Sequence, residues 1–143
     1  MNDKLDLSFL RIAIDLLGAG IGVVGDEGWF NTQSEAVRNT LIAGVIQNFE
    51  VAYELCVKMI RRQLERDAAS PTEVDAADFR DLMRTAGEKG LVLDVEAWFE
   101  YRRMRNITAH TYDRKKAKLV YEGTLAFIRD ARALLEALDA RNR

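Results

Sequence analysis

A single stripe of apolar side chains does most to limit what this chain can fold into. Leu41, Val45, Phe49, Tyr53, Cys56, Ile60 and Leu64 recur at intervals of three and four residues, the spacing that returns to one face of an α-helix. The stripe predicts one uninterrupted helix over about residues 34–66, about nine turns long. A helix of that length reaches from end to end of a small domain, so the remaining chain must pack alongside it. The sequence has one proline, Pro71, and few β-branched runs, which leaves the rest of the chain free to be helical as well.

Leu10, Ile14, Leu17, Ile21 and Val24 repeat at the same period and predict a first helix over about residues 5–24. Gly18, Gly20 and Gly22 weaken its second half by about 1 kcal/mol each relative to alanine; they either admit a neighbouring helix at close range or let the end fray. Residues 25–32 read as a loop. Gly20 to Gly25 has the GxGxxG spacing of a dinucleotide fingerprint, but Asp26-Glu27-Gly28-Trp29 after it reads as a turn and no βαβ pattern surrounds it, so that reading is discarded. Ser70-Pro71-Thr72-Glu73 predicts a helix start, with a serine N-cap, proline in the first turn and glutamate closing a capping box. A short helical region follows to about Glu88, in one piece or two, with Gly90 as its stop; Leu91-Val92-Leu93 is too short for a sheet strand. Asp94 is placed to cap a helix over about residues 95–109. Asp113 is placed to cap another over about residues 114–140, whose core stripe is Val120, Thr124, Phe127, Ala131, Leu134 and Leu138. The expected fold is all-α: an antiparallel up-and-down four-helix bundle with a short additional helix, one domain over residues 1–143.

Composition removes several classes of function. The lone cysteine, Cys56, excludes an internal disulfide and a cysteine–histidine zinc cluster; on an apolar helix face it reads as a small buried hydrophobe. The N-terminal Asn2-Asp3-Lys4 lacks the basic region of a cleavable signal. The apolar stretch 9–24 contains Arg11 and Asp15 and is shorter than a spanning helix needs. No membrane partner and a cytoplasmic location are the expectations. A net charge of −2 argues against a general coat for nucleic acid. The charge is unevenly spread, however. Arg102, Arg103, Arg105, Arg114, Lys115, Lys116 and Lys118 face one acid, Asp113, within a segment of +6, so the remainder carries −8. That segment is either a solvated basic face or a local site for phosphate groups, Arg102 and Arg103 being the candidates for holding phosphate or RNA.

The same segment, Tyr101 to Tyr112, contains the only histidine of the chain, His110. Read from the residues alone, His110 is a helix C-terminal histidine that satisfies carbonyls. Arg105 reads as an ion-pair partner for Glu50 or Glu54, which with Gln47 line the polar edge of the long helix; a buried arginine needs such a partner. Tyr112 reads as a packing tyrosine, and Trp98 as core rather than a platform for a base.

Taken together these residues resemble a known family. Gln47-Asn48-Phe49-Glu50, Tyr53-Glu54-Leu55 and Lys58 look like its second-helix pattern; Trp98, Arg105-Asn106, Thr108 and His110-Thr111-Tyr112 look like its closing motif. The family is the nucleotidyltransferase substrate-binding group of the HEPN superfamily, which includes HepT-like toxins, and the resemblance covers most of the chain. It implies an up-and-down helical bundle that forms a homodimer and is paired with a small MntA-type nucleotidyltransferase. It implies, for the toxins, a ribonuclease that needs neither metal nor cofactor and is silenced when the partner transfers AMP to the motif tyrosine. Carried over, Arg105 and His110 are catalytic, Asn106 is supporting, and Tyr112 is the modified side chain. The alternative within the family is a non-catalytic subunit that presents a substrate to the nucleotidyltransferase.

The chemistry is compatible with the first reading. Metal-free RNA cleavage needs a group that moves protons between the attacking 2′-hydroxyl and the leaving oxygen, a task suited to imidazole. It also needs a cation on the phosphate, a task suited to guanidinium. One histidine per chain is few for acid and base together, so a composite site at a two-fold axis is expected. On an ideal helix Arg105 and His110, five residues apart, point about 140° from one another, whereas Asn106 and His110 share a face. The arginine and histidine can converge only if the helix ends or kinks near Ala109, or if a second chain completes the site.

Overall fold

In the computed structural model, which describes residues 4–143, the long stripe becomes one helix of 33 residues, Glu35–Asp67. In chain order the elements are α1 (Ser8–Gly25), α2 (Glu27–Phe30), α3 (Glu35–Asp67), α4 (Pro71–Ala76), α5 (Phe79–Glu88), α6 (Val95–Ile107), a 3₁₀ turn (Thr108–His110) and α7 (Arg114–Arg141). Four long helices, α1, α3, α6 and α7, make the expected up-and-down bundle; α3 packs against all three others, and α7 lies against both α1 and α6. The described residues contain no strand.

The core is centred on Phe127 of α7. Its ring meets Phe49 of α3 edge-on at 4.9 Å, Tyr101 of α6 at 5.1 Å and Trp98 of α6 at 5.8 Å. Edge-to-face pairs of this kind add about 0.5–1.5 kcal/mol each beyond the area they bury, so this cluster fixes α6 against α3 and α7. Trp98 is only 1% exposed, as a core residue should be. The Tyr101 hydroxyl donates to Asp130 of α7; burial first, and that bond second, push its phenol well above the usual range. Further along α6, a Cβ built on Gly123 of α7 would lie 2.5 Å from the Met104 sulfur. A glycine there is what lets the last turn of α6 sit so close to α7.

The expected caps form at Asp94 and Asp113, whose side chains accept from the Ala97 and Lys115 backbone N–H groups at 3.2 and 2.9 Å, and Ser34 caps α3 by accepting from the Val37 N–H at 3.2 Å. Gly90 stops α5 as expected. Its φ is +76°, and the Leu91 and Gly90 N–H groups donate to the Ala86 and Gly87 carbonyls at 2.9 and 3.1 Å, the paired closure of a Schellman stop. The capping box at Ser70 does not form: the serine hydroxyl is 2.7 Å from the Thr72 hydroxyl and makes no cap. The helical region after it is two pieces, α4 and α5. The expected loop over residues 25–32 contains α2, a single turn started by Asp26. The glycines of α1 do not fray it. Gly20 faces Val45 of α3 at close range and Gly18 faces Arg132, while Gly22 faces open space. The GxGxxG spacing therefore lies inside a helix, not at a strand–helix turn.

At the other end of the bundle, Gln63 is 1% exposed and is hydrogen-bonded through both its amide nitrogen and its oxygen. It donates to Asp67 at 3.0 Å and accepts from the Asn142 amide at 2.9 Å, while the Asn142 oxygen accepts from the Leu5 N–H at 2.8 Å. The two ends of the described chain are thus tied to α3 together.

α1 starts three residues later than the expected helix but extends one residue beyond each end of the apolar stretch, and by length and composition both α1 and α3 are long and apolar enough to cross a membrane. Their inner faces are instead in the shared core, with Leu10, Ile14, Leu17 and Phe49 all at 0% exposure. The outer face of α1 is apolar too. Phe9, Ile12 and Leu16 are more than half exposed and, with Val51 and Leu55 of α3, border a groove of about 260 Å³.

Candidate active site at the end of α6

α6 loses its helical phase after Ile107. The chain there holds Ile107, Thr108 and Thr111, β-branched residues that favour a helix less than straight-chain ones. Thr108 is buried, and its hydroxyl lies against both Glu50 of α3 and the Arg105 carbonyl, 2.8 Å from the latter. One hydroxyl proton serves one of these acceptors at a time. The Thr111 hydroxyl donates to the Thr108 carbonyl at 2.9 Å, and the Asp113 N–H to the His110 carbonyl at 3.1 Å. These short-range bonds wind residues 108–110 into a 3₁₀ turn that hands the chain to the Asp113 cap of α7. The break comes two residues before Ala109, which meets the condition under which the 140° offset of a continuous helix no longer holds.

Arg105 is held as the long helix's polar edge suggested. Its Nε and Nη2 groups both donate to one Glu54 oxygen, at 3.0 and 2.7 Å, and Nη1 lies 3.8 Å from Glu50. The Glu54 hydrogen bond, with the two carboxylate charges behind it, raises the guanidinium above even its usual range. Only two of its five N–H groups are taken up by these bonds, so the side chain is oriented while donors remain for a phosphate. Nearby, burial raises the Tyr53 phenol to about 12, with the charges of Arg102 and Arg105 acting against the shift.

His110 and Tyr112 depart from the readings their types alone suggest. Among the described residues the His110 ring has no hydrogen bond to a helix carbonyl; it is exposed, and a neighbour is the Tyr112 ring, edge-on at 6.1 Å. Tyr112 is 77% exposed, so it does not pack. Among the described residues no hydrogen bond or ion pair joins Arg105 to His110. One chain therefore brings Arg105 together with Glu50, Glu54 and Thr108, and His110 together with Tyr112, as two adjoining groups.

The remaining candidates lie toward α5. Arg103 pairs with Glu100 at 2.5 Å. Arg102 lies over the Phe79 ring of α5 at 4.5 Å. Asn106, exposed, lines a cavity of about 210 Å³ with Phe79, Arg80, Phe99, Arg102 and Arg103. Sequence reading missed Thr108 as the link between α3 and the turn, and missed Phe79 and Arg80 altogether. The first had a partial signal, since a threonine near a helix end often bonds a nearby backbone group; the second depends on how α5 docks, which no spacing reveals. Among the described residues no group of three or more His, Cys, Asp or Glu side chains is gathered as a metal ion would require.

Comparison with known proteins bears on this geometry. Residues 26–140 match the family model described as nucleotidyltransferase substrate binding protein like. The chain is 44% identical over 142 residues to a Haemophilus influenzae protein named probable ribonuclease HepT, covering 99% of this chain and 97% of that one. It also superimposes with a TM-score of 0.92 and 42% identity on a solved H. influenzae structure, across 94% of this chain and 99% of the other. That structure is described as revealing the fold of a substrate binding domain of a nucleotidyltransferase.

Proposed function

The chain belongs to the nucleotidyltransferase substrate-binding protein family, and from that premise we propose that it is a HepT-like, metal-independent endoribonuclease of the cytoplasm, acting on single-stranded RNA as a homodimer and controlled by an MntA-type nucleotidyltransferase. The observation that carries the reading is a tethered arginine and an exposed histidine on either side of a break in the helix. Arg105, oriented by Glu54 and Glu50, presents its remaining N–H groups to a phosphate. His110, on the turn that follows, moves protons. In the reaction the 2′-oxygen attacks the adjacent phosphorus and the bond to the 5′-oxygen breaks. The 2′-proton goes to a base, and the leaving oxygen takes one from an acid, giving a 2′,3′-cyclic phosphate and a 5′-hydroxyl.

With one histidine per chain, acid and base come from two copies. The exposed stripe of Phe9, Ile12, Leu16 and Val51 supports a seat for the second copy. Contiguous apolar surface of this kind marks an interface, and Val51 and Leu55 are sequence neighbours of the Glu50 and Glu54 that hold Arg105. Leu16→Glu is expected to convert the protein from twice 16.2 kDa to a monomer in light scattering and to depress cleavage with it. A wild-type monomer at micromolar concentration would remove this seat from consideration.

Control would run through Tyr112, whose exposure leaves its oxygen open to attack the α-phosphorus of a nucleoside triphosphate. AMP becomes esterified to the phenol and pyrophosphate leaves. The added phosphate then stands beside His110. Tyr112→Phe should retain cleavage yet escape silencing when the nucleotidyltransferase and ATP are added, with no adduct in the intact mass; an adduct at another residue would contradict the assignment.

A second reading has its own support. Arg105 already faces two carboxylates and the chain is net negative, which suits a non-catalytic subunit that presents a substrate to the nucleotidyltransferase. Incubating the purified wild-type protein with labelled single-stranded RNA in EDTA decides between the two. Cleavage supports the enzyme; none by a folded dimer supports the subunit.

A further inference from the structure

The cavity between α5 and α6 is lined by three arginines, Arg80, Arg102 and Arg103, two phenylalanines, Phe79 and Phe99, and Asn106. No carboxylate lines it. Two of the cations are held by rings rather than by acids: Arg80 lies 4.5 Å from the Phe99 ring centre, and Arg102 4.5 Å from that of Phe79. Among the described residues neither makes an ion pair, and only Arg103 has one, with Glu100. An arginine fixed on an aromatic face keeps all its N–H edges for an incoming anion, and its flat group can stack on a second planar partner. Asn106 adds an amide whose donor and acceptor have no partner in the described residues.

We infer that this cavity is a nucleotide subsite, which takes one phosphate and one unpaired base of a single-stranded RNA next to the cleaved bond. The inference rests on the ribonuclease reading for its choice of RNA. The position fits: Arg102 is one turn before Arg105 on α6, about 4.5 Å along the axis, and both act on the same phenol, Tyr53. The chemistry fits as well. Single-stranded nucleic acids are held by cations that follow the backbone together with flat groups on which bases stack, and this cavity offers both within about 210 Å³. A duplex, whose bases are already stacked, could use only the charge.

The test uses a short fluorescein-labelled 2′-O-methyl oligoribonucleotide, which cannot be cleaved because its 2′-oxygens are blocked, and follows anisotropy over a series of salt concentrations. Arg80→Gln/Arg102→Gln is expected to bind at least about tenfold more weakly than wild type, with a salt slope shallower by about one phosphate contact. Arg80→Lys/Arg102→Lys should restore the slope but only part of the affinity, because lysine supplies charge without a plane. Both side chains are exposed, and unchanged thermal melts would show that the variants fold. Pocket-dependent binding without cleavage of ordinary RNA would leave the subsite standing and remove the nuclease reading. Cleavage by wild type, with oligonucleotide binding identical in the glutamine variant, would remove the subsite and leave the nuclease. Wild type that binds no oligonucleotide, or that binds free AMP in this cavity and no oligonucleotide, overturns the inference outright.

Discussion

On the ribonuclease reading, His110→Ala is expected to lower the rate of metal-free cleavage of single-stranded RNA by a factor of about 10²–10⁴, the usual contribution of a positioned general acid or base, and to leave the fold intact. The second half of this expectation follows from position. His110 sits exposed on the 3₁₀ turn, has no side-chain hydrogen bond among the described residues, and has the exposed Tyr112 ring as its aromatic neighbour. Truncating it opens no cavity and orphans no buried group, so the melting temperature should stay within the range of surface substitutions. Gel assays of a labelled oligoribonucleotide in EDTA, beside a circular dichroism melt of the same preparation, provide both readings. A folded alanine variant that cleaves as fast as wild type would exclude His110 from the chemistry and point to a contaminating nuclease.

Arg105→Ala is the second large effect, with an expected loss of about 10²–10³-fold in kcat, of the order seen when one oriented donor to a developing anion is removed. The loss should fall mainly on kcat rather than KM, because the guanidinium is needed most as negative charge builds on the phosphate. Arg105→Lys should recover little. A lysine ammonium cannot set two N–H groups against Glu54 and still face a phosphate with a separate, fixed edge. Stability is a poorer reporter here. The Arg105 and Glu54 side chains are 35% and 59% exposed, and water screens pairs so placed down to about 0.2–1 kcal/mol. Glu54→Gln separates the roles: it keeps an acceptor for Arg105 while removing a charge, so a modest fall in kcat fits an orienting function. A fall as deep as that of Arg105→Ala would instead give Glu54 a direct part in proton transfer.

The bundle could be read from the chain because its signals are local and repetitive. The stripe from Leu41 to Leu64 fixed the type and length of α3, and Asp94 and Asp113 marked the starts of α6 and α7 through the caps they form. Ser70 shows where local reading fails: a correct capping sequence is overridden when a neighbouring hydroxyl, Thr72, takes the serine. The ion pair of Arg105 with α3 was legible from two facing polar edges. The 3₁₀ turn was not, because Thr108 breaks the helix through Glu50, a residue 58 positions away. Nor was the aromatic–arginine cavity, since Phe79 meets Arg102 only once α5 has docked on α6. The exposed outer face of α1 was not read because Phe9, Ile12 and Leu16 fall outside the periodic stripe that marks its buried side.

The knot of Gln63, Asn142 and Leu5 has a bearing on how this domain can be joined to others. α7 separates Asn142 from the His110–Tyr112 turn by 28 residues, about 42 Å along a helix axis, and Leu5 is bonded to Asn142. Both attachment points therefore lie at the pole opposite the His110–Tyr112 turn. A second domain fused at either one leaves that turn unobstructed. To touch Tyr112 in the same polypeptide, it would need a tether of about 12 fully extended residues simply to run the length of the bundle. A modifying enzyme supplied as a free chain meets no such limit of reach.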